Sequence, residues 1–75
     1  MVSHLKNVII MQNQFTKKVQ LKNIPDGGFF TITGRNNAPI YEMQRKYAGS
    51  AMYTSTNSGL TFDRKGGTYG YIKKA

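Results

Sequence analysis

The sequence predicts a small all-β domain, either an antiparallel SH3-like or OB-like barrel or a strongly bent sheet, with an open meander as the second architecture. Three observations carry this reading. Aromatic, β-branched and Thr-rich runs alternate with Gly and Asn clusters, the pattern of short strands joined by tight turns. No stretch sustains an apolar period near 3.6, so a long helix is not expected. Turn signals recur about every 8–12 residues, as in barrels and meanders, and closure also removes strand edges that would invite aggregation. Seventy-five residues form one domain, 1–75, near the lower limit for an unassisted core. There is no Cys, so neither a disulfide nor a thiolate metal site can staple it. The core must lean on Phe15, Phe29, Phe30, Phe62 and the tyrosines, each burying apolar area at roughly 25 cal/mol per Å². Self-association into a homo-oligomer is another way for so small a fold to bury surface.

Taken in order, residues 5–11 are the first candidate strand and contain the longest apolar run, Val8-Ile9-Ile10-Met11. Asn13-Gln14 turns the chain into a second strand at 15–21. There Phe15, Val19 and Leu21 share a face that Lys17 interrupts, and a short helix within the first twenty residues is the alternative. Pro25-Asp26-Gly27-Gly28 is a strong turn, because Pro sets its own φ and Gly accepts positive φ. Residues 29–33 follow as a strand with Phe30 and Ile32 on one face and Phe29 on the other. Residues 34–39 form a hairpin loop. In 40–47, Tyr41, Met43 and Tyr47 alternate with Glu42, Gln44 and Lys46, the mark of a half-buried strand. Strands at 51–55, 60–64 and 69–73 complete the chain, separated by Thr56-Asn57-Ser58-Gly59 and Lys65-Gly66-Gly67. Leu60 and Phe62 share a face, as do Tyr69 and Tyr71. Gly70 between the two tyrosines leaves the opposite face bare, which suits a bend or a close backbone approach.

The segment Leu21-x-x-Ile24-Pro25-x-Gly27-Gly28-Phe29-Phe30, running through a hairpin into Ile40-Tyr41, resembles one found in small phage-encoded β-barrel proteins. Those carry a Leu-x-x-Leu-Pro-x-Gly-x-x-Phe segment that enters a strand, then a Tyr-rich strand. The likeness covers the middle third of the chain, and this sequence doubles the Gly and the Phe of the simplest form. It implies a phage or mobile-element source, a β fold and, for a phage product, the host cytoplasm. Such proteins share no single activity, so no site residue is carried over.

Chemistry-bearing groups are sparse. His4 is the single His and lies near an end, and it has no Cys to help it hold a metal. Asp26 sits in a turn, where its ordinary task is to bond nearby amides. Glu42 and Asp63 fall on different strands and could face each other, but each meeting a Lys or Arg across the sheet is the plainer expectation, at ~0.2–1 kcal/mol. No Ser or Thr has a visible base and orienter. Gly66-Gly67-Thr68-Tyr69-Gly70 lacks P-loop spacing and reads better as a hairpin turn. An enzyme, a cofactor and a metal are therefore not expected. No run approaches the ~20 apolar residues of a membrane helix, and no signal-like apolar region follows the N-terminus. The expectation is a soluble, unprocessed, cytoplasmic protein.

Charge is the most telling feature. Eleven Lys and Arg against three acidic residues give a net charge of +8, a potential that attracts polyanions. The candidate contact residues are Arg35, Arg45, Lys46, Arg64, Lys65 and Lys73, together with Tyr69 and Tyr71; Lys17-Lys18 and Lys22 add charge near the start. Arg45 falls on the face of Tyr41, Met43 and Tyr47, where a guanidinium stacks on rings or looks out of a barrel mouth. The plain alternative makes Tyr41 and Tyr47 core residues with wet hydroxyls and the charges mere solvation. The first functional reading is a module that binds single-stranded DNA or RNA, bases stacking on rings while cations track phosphates. No recognition helix for duplex is evident. The second is a small protein that docks on and modulates an acidic host protein, with Met52, Tyr53 or Ile40 as apolar anchors. A minor structural subunit held by sheet augmentation is the third.

Overall fold

The computed structural model describes residues 14–74; the candidate strand at 5–11, Asn13 and His4 lie outside the described residues. Among them the elements run β1 (Phe15–Gln20), a single 3-10 turn (Leu21–Asn23), β2 (Phe29–Phe30), β3 (Tyr41–Tyr47), β4 (Ser50–Ser55), β5 (Thr61–Lys65) and β6 (Tyr69–Lys73). The expected all-β class is observed. The described residues make two antiparallel sheets and no closed barrel: β1 pairs with β6, and β2-β3-β4-β5 form a four-stranded meander. One bridge joins them. The Thr31 N–H donates to the Tyr71 carbonyl at 2.9 Å and the Tyr71 N–H returns to the Thr31 carbonyl at 2.8 Å.

Turn chemistry forms the local corners. Gly27 has φ +84°, and the Gly28 N–H closes the turn on the Pro25 carbonyl at 2.9 Å. The β3–β4 hairpin turns through Ala48 at φ 46° and Gly49 at φ 80°, both in the left-handed region that two-residue hairpins require. Gly59, at φ 77°, ends the β4–β5 turn, with its N–H on the Ser55 carbonyl.

Four strand expectations need correction. The strand expected at 29–33 is reduced to β2, because beyond Phe30 the chain pairs only through the Thr31 bridge. Leu60 lies outside β5 and is 61% exposed. The third correction concerns β3, whose alternation does not hold. Met43 faces Tyr53, but Arg45 faces Met52, so one extra residue is taken up at Gln44. Cross-strand partners share a face. The bulge therefore leaves Tyr41 and Met43 on the core face and turns Arg45 and Tyr47 to the outer one. Lys46, expected to be outward, pairs with buried Ala51 instead. A similar slip between Phe15 and Lys17 takes Phe15 out of the Val19 row and places it opposite Lys73, whereas Lys17, opposite Ile72, stays in the Val19 row.

The core is Leu21, Ile24, Phe30, Met43, Ala51 and Tyr53, with Val19, Ile32, Tyr41 and Ile72 packed on it. Each fully buried large side chain contributes about 1.5–3 kcal/mol. Phe30, Tyr41, Tyr53 and Phe62 form one aromatic cluster, with Phe30 edge-on to Tyr53 at 5.1 Å and Phe62 stacked on Tyr53 at 5.7 Å. The close backbone approach expected at Gly70 is present. A Cβ there would stand 3.0 Å from both the Leu21 Cδ2 and the Thr31 carbonyl oxygen.

Candidate nucleic-acid interface

The pairing of β1 with β6 assembles one surface from the two ends of the described chain. Val19 lies opposite Gly70, which is buried against Leu21 and Phe30, so that row faces the core. The alternate row therefore faces outward: Lys18 opposite Tyr71, Gln20 opposite Tyr69, and Lys73 beyond them on β6. Tyr69 is 50% exposed and Tyr71 is half-buried. The Lys18 ammonium stands 4.9 Å over the Tyr69 ring, and the Lys73 ammonium 5.8 Å over Phe15. Arg35 follows directly on Gly34, where an added Cβ would stand 3.9 Å from the Tyr71 ring. The row thus runs Lys18, Tyr69, Tyr71, Lys73, and Arg35 is near it through the chain at Gly34.

Its electrostatics are one-sided. Residues 14–24 and 66–74 hold Lys17, Lys18, Lys22, Lys73 and Lys74 and no acidic residue. Asp26, Glu42 and Asp63 all belong to the four-stranded sheet or its turns. Two of them are engaged there: Asp26 accepts from Lys46 Nζ at 2.7 Å, and Asp63 accepts from the Tyr47 hydroxyl at 2.5 Å. No other side chain of the described residues forms an ion pair. Glu42 and Asp63 do not face each other, since Glu42 lies in register with Thr54 and Asp63 with Met52. Asp63 meets a phenol rather than the expected Lys or Arg.

The remaining candidate residues are dispersed. Arg45 and Lys65 are on the outer face of the four-stranded sheet, where Arg45 lies 5.2 Å over the exposed Tyr47 ring. Lys46 is occupied structurally, donating to the Ile24 carbonyl at 2.6 Å as well as to Asp26 and tying the Pro25 turn to β3. Arg64 points to the core face, where its Nε donates to the Tyr53 hydroxyl at 2.7 Å. Arg64 and Lys65 therefore lie on opposite faces. Tyr53, expected as an exposed anchor, is 1% exposed and belongs to the core. Lys18 is the addition that the sequence reading left among its background charges, because only the β1–β6 register puts it over Tyr69.

No protein-family model, curated protein or solved structure matches this chain. The surface must be read from its own chemistry. Among the described residues no group of three or more His, Cys, Asp or Glu is placed to hold a metal ion, and no helix is long and apolar enough to cross a membrane.

Two phenols are electrostatically perturbed, and both are away from the row. The hydrogen bond to Asp63 is the main cause that raises the Tyr47 pKa above 10.0. For Tyr53, burial raises it and the Arg64 guanidinium works in the opposite direction. Both phenols stay protonated at neutral pH and act as hydrogen-bonding groups.

Proposed function

We propose that this protein is a non-enzymatic module that binds single-stranded DNA or RNA on the Lys18, Tyr69, Tyr71, Lys73 row. The observation that carries this is an acid-free strand pair that joins the exposed Tyr69 ring and the half-buried Tyr71 ring to lysines without an ion pair on one outward face. Phosphates meet the lysines and Arg35, while bases stack on the tyrosines. Lys18 already covers Tyr69, so a base must displace it. An exposed cation–π contact is worth about 0.5–1 kcal/mol, against ~1–3 kcal/mol for a stacked base. Displacement is therefore favourable, and the freed ammonium remains beside the strand to meet a phosphate.

Fluorescence anisotropy with labelled single-stranded DNA, RNA and duplex across a salt series tests the reading. The expected result is a preference for single strands that persists at physiological salt, with Tyr69→Ala weakening it roughly tenfold. Equal binding to all three, seen only at low salt, would mean generic charge attraction and sink the proposal.

A second reading rests on a different surface. Leu60, Phe62 and Ile40 are 61%, 38% and 37% exposed, and β5 is exposed along its whole length beside Arg64 and Lys65. That edge fits an acidic, partly apolar protein partner. Substituting Leu60 and Ile40 by Ser separates the two, because it removes the apolar anchors and leaves the Tyr69 row intact.

A further inference from the structure

Strand β5 closes one side of the four-stranded sheet, and among the described residues no strand pairs with its outer edge. Two hydrogen bonds at its ends fix the phase of its backbone. The Ser55 N–H donates to the Leu60 carbonyl at 2.8 Å, and the Gly66 N–H donates to the Gly49 carbonyl at 2.7 Å. Bonded residues alternate along an antiparallel ladder, so Phe62 and Arg64 direct their backbone groups to β4. The N–H and C=O groups of Thr61 and Asp63 therefore point away from the sheet. Such an edge is a template for a further strand unless Pro, a bulge or charge blunts it. β5 has no Pro, and its pairing runs without the register shifts seen in β1 and β3. Asp63, Arg64 and Lys65 remain as its charges, and they select which strand can pair.

The side chains along this edge have a fixed order. Leu60, Phe62 and Arg64 share the core face at the margin of the sheet, where Leu60 is 61% and Phe62 38% exposed. Thr61, Asp63 and Lys65 share the outer face, and the whole strand is exposed. Asp63 is engaged by the Tyr47 hydroxyl, whereas Arg64 and Lys65 form no ion pair with a described residue. An antiparallel strand laid along β5 meets Lys65, Arg64, Asp63, Phe62, Thr61 and Leu60 in that order. Directly opposite residues share a face, where opposite charges attract and like charges repel. We infer that β5 takes an extended segment of another protein by strand addition, in the order acidic, acidic, polar, apolar, polar, apolar. This rests on the second reading above and names the backbone bonds and the residue pattern that the edge recognises. Backbone bonds supply affinity in this mode, and the alternate side chains supply specificity. Each copy of the chain carries +8, so a second copy meets a repulsion that an acidic segment does not.

The test uses the full chain and the synthetic peptide Ser-Glu-Glu-Thr-Val-Thr-Val-Ser, read by amide NMR and hydrogen exchange. A control peptide has Lys-Lys in place of Glu-Glu. In the free protein the Thr61 and Asp63 amides should exchange fast and those of Phe62 and Arg64 slowly. The peptide should shift and protect Thr61 and Asp63, and the control should bind roughly tenfold more weakly. Thr61 is the first residue of β5 and its N–H faces outward, so Thr61→Pro should keep the β4–β5 pairing. It should weaken the peptide roughly fivefold, while Thr61→Val should not. If the peptide binds, Leu60→Ser weakens it and Thr61→Pro matches Thr61→Val, strand addition fails while the second reading stands. Equal binding of the control would overturn the charge order. Thr61 and Asp63 amides already protected in the free protein would mean an edge covered by residues 1–13 or by a second copy, and would overturn the inference. No binding of the peptide at all overturns both.

Discussion

Single residues set the local strain and its relief. Ala48 holds φ 46° in the β3–β4 turn, a conformation that costs an L-residue about 1–2 kcal/mol. Asn tolerates it and precedes Gly in the favoured two-residue hairpin, so Ala48→Asn should stabilise by about 0.5–1 kcal/mol and raise Tm by several degrees in thermal unfolding. Gly70→Ala should act the other way. Its Cβ would press on the Thr31 carbonyl, which the Tyr71 bridge holds in place, and a loss of roughly 1–3 kcal/mol in urea unfolding is expected. The phenols give a pH signature. Folded Tyr47 and Tyr53 ionise later than their unfolded forms, so their stabilisation is complete below pH 10 and is lost as pH rises through the folded values. Phenolate absorbance should show Asp63→Asn lowering the Tyr47 pKa and Arg64→Met raising that of Tyr53. Shifts of the same sign would contradict the two assigned causes.

Elements decide which basic residues are free. The bulge at Gln44 separates neighbours that a regular strand would treat as a simple alternation. Arg45 goes outward onto Tyr47, and Lys46 goes to the Ile24 carbonyl and Asp26. The Lys46–Asp26 pair is partly exposed, so its own worth is at most about 1 kcal/mol, and the bond to the Ile24 carbonyl adds a similar amount. Lys46→Met should therefore cost roughly 1–2 kcal/mol, whereas Arg45→Ala should stay within about 0.5 kcal/mol of the parent. Equal losses in denaturant titration would mean that the bulge does not divide their roles. The register slip in β1 has a matching consequence, because it brings Phe15 opposite Lys73, whose ammonium lies 5.8 Å over the ring.

At the scale of the whole molecule, charge is segregated by sheet. The β1–β6 pair and its flanks hold lysines alone, while every acidic residue lies with the four-stranded sheet. Salt dependence is the readout. Each lysine that meets a phosphate of a single strand contributes about 0.7 to the slope of log affinity against log salt. Lys18→Ala with Lys73→Ala should therefore flatten the slope by about 1.4, and Arg45→Ala with Lys65→Ala by much less. An equal flattening would show that the whole surface attracts the ligand and that the row has no special part.

The sequence by itself determined the all-β class, the turns at Pro25–Gly28 and 56–59, β6 at its observed bounds and the basic excess, and at Gly70 it narrowed the choice to a bend or a close approach. These follow from local chemistry: positive φ at Gly, period-two alternation and composition act over a few residues. Tyr69, Tyr71 and Lys73 were legible as a set for the same reason, since they alternate on one short strand. The tertiary structure alone decided that β1 pairs with β6, that β2 shrinks to two residues and that the sheets of the described residues do not close. It also decided that Lys18 joins the tyrosine row while Lys46 and Arg64 turn to internal partners. Strand pairing and bulges are won by contacts between segments distant in sequence, here the packing of Gly70 on Leu21 and Phe30 and of Ala51 opposite Lys46. Those contacts have no signature within either segment.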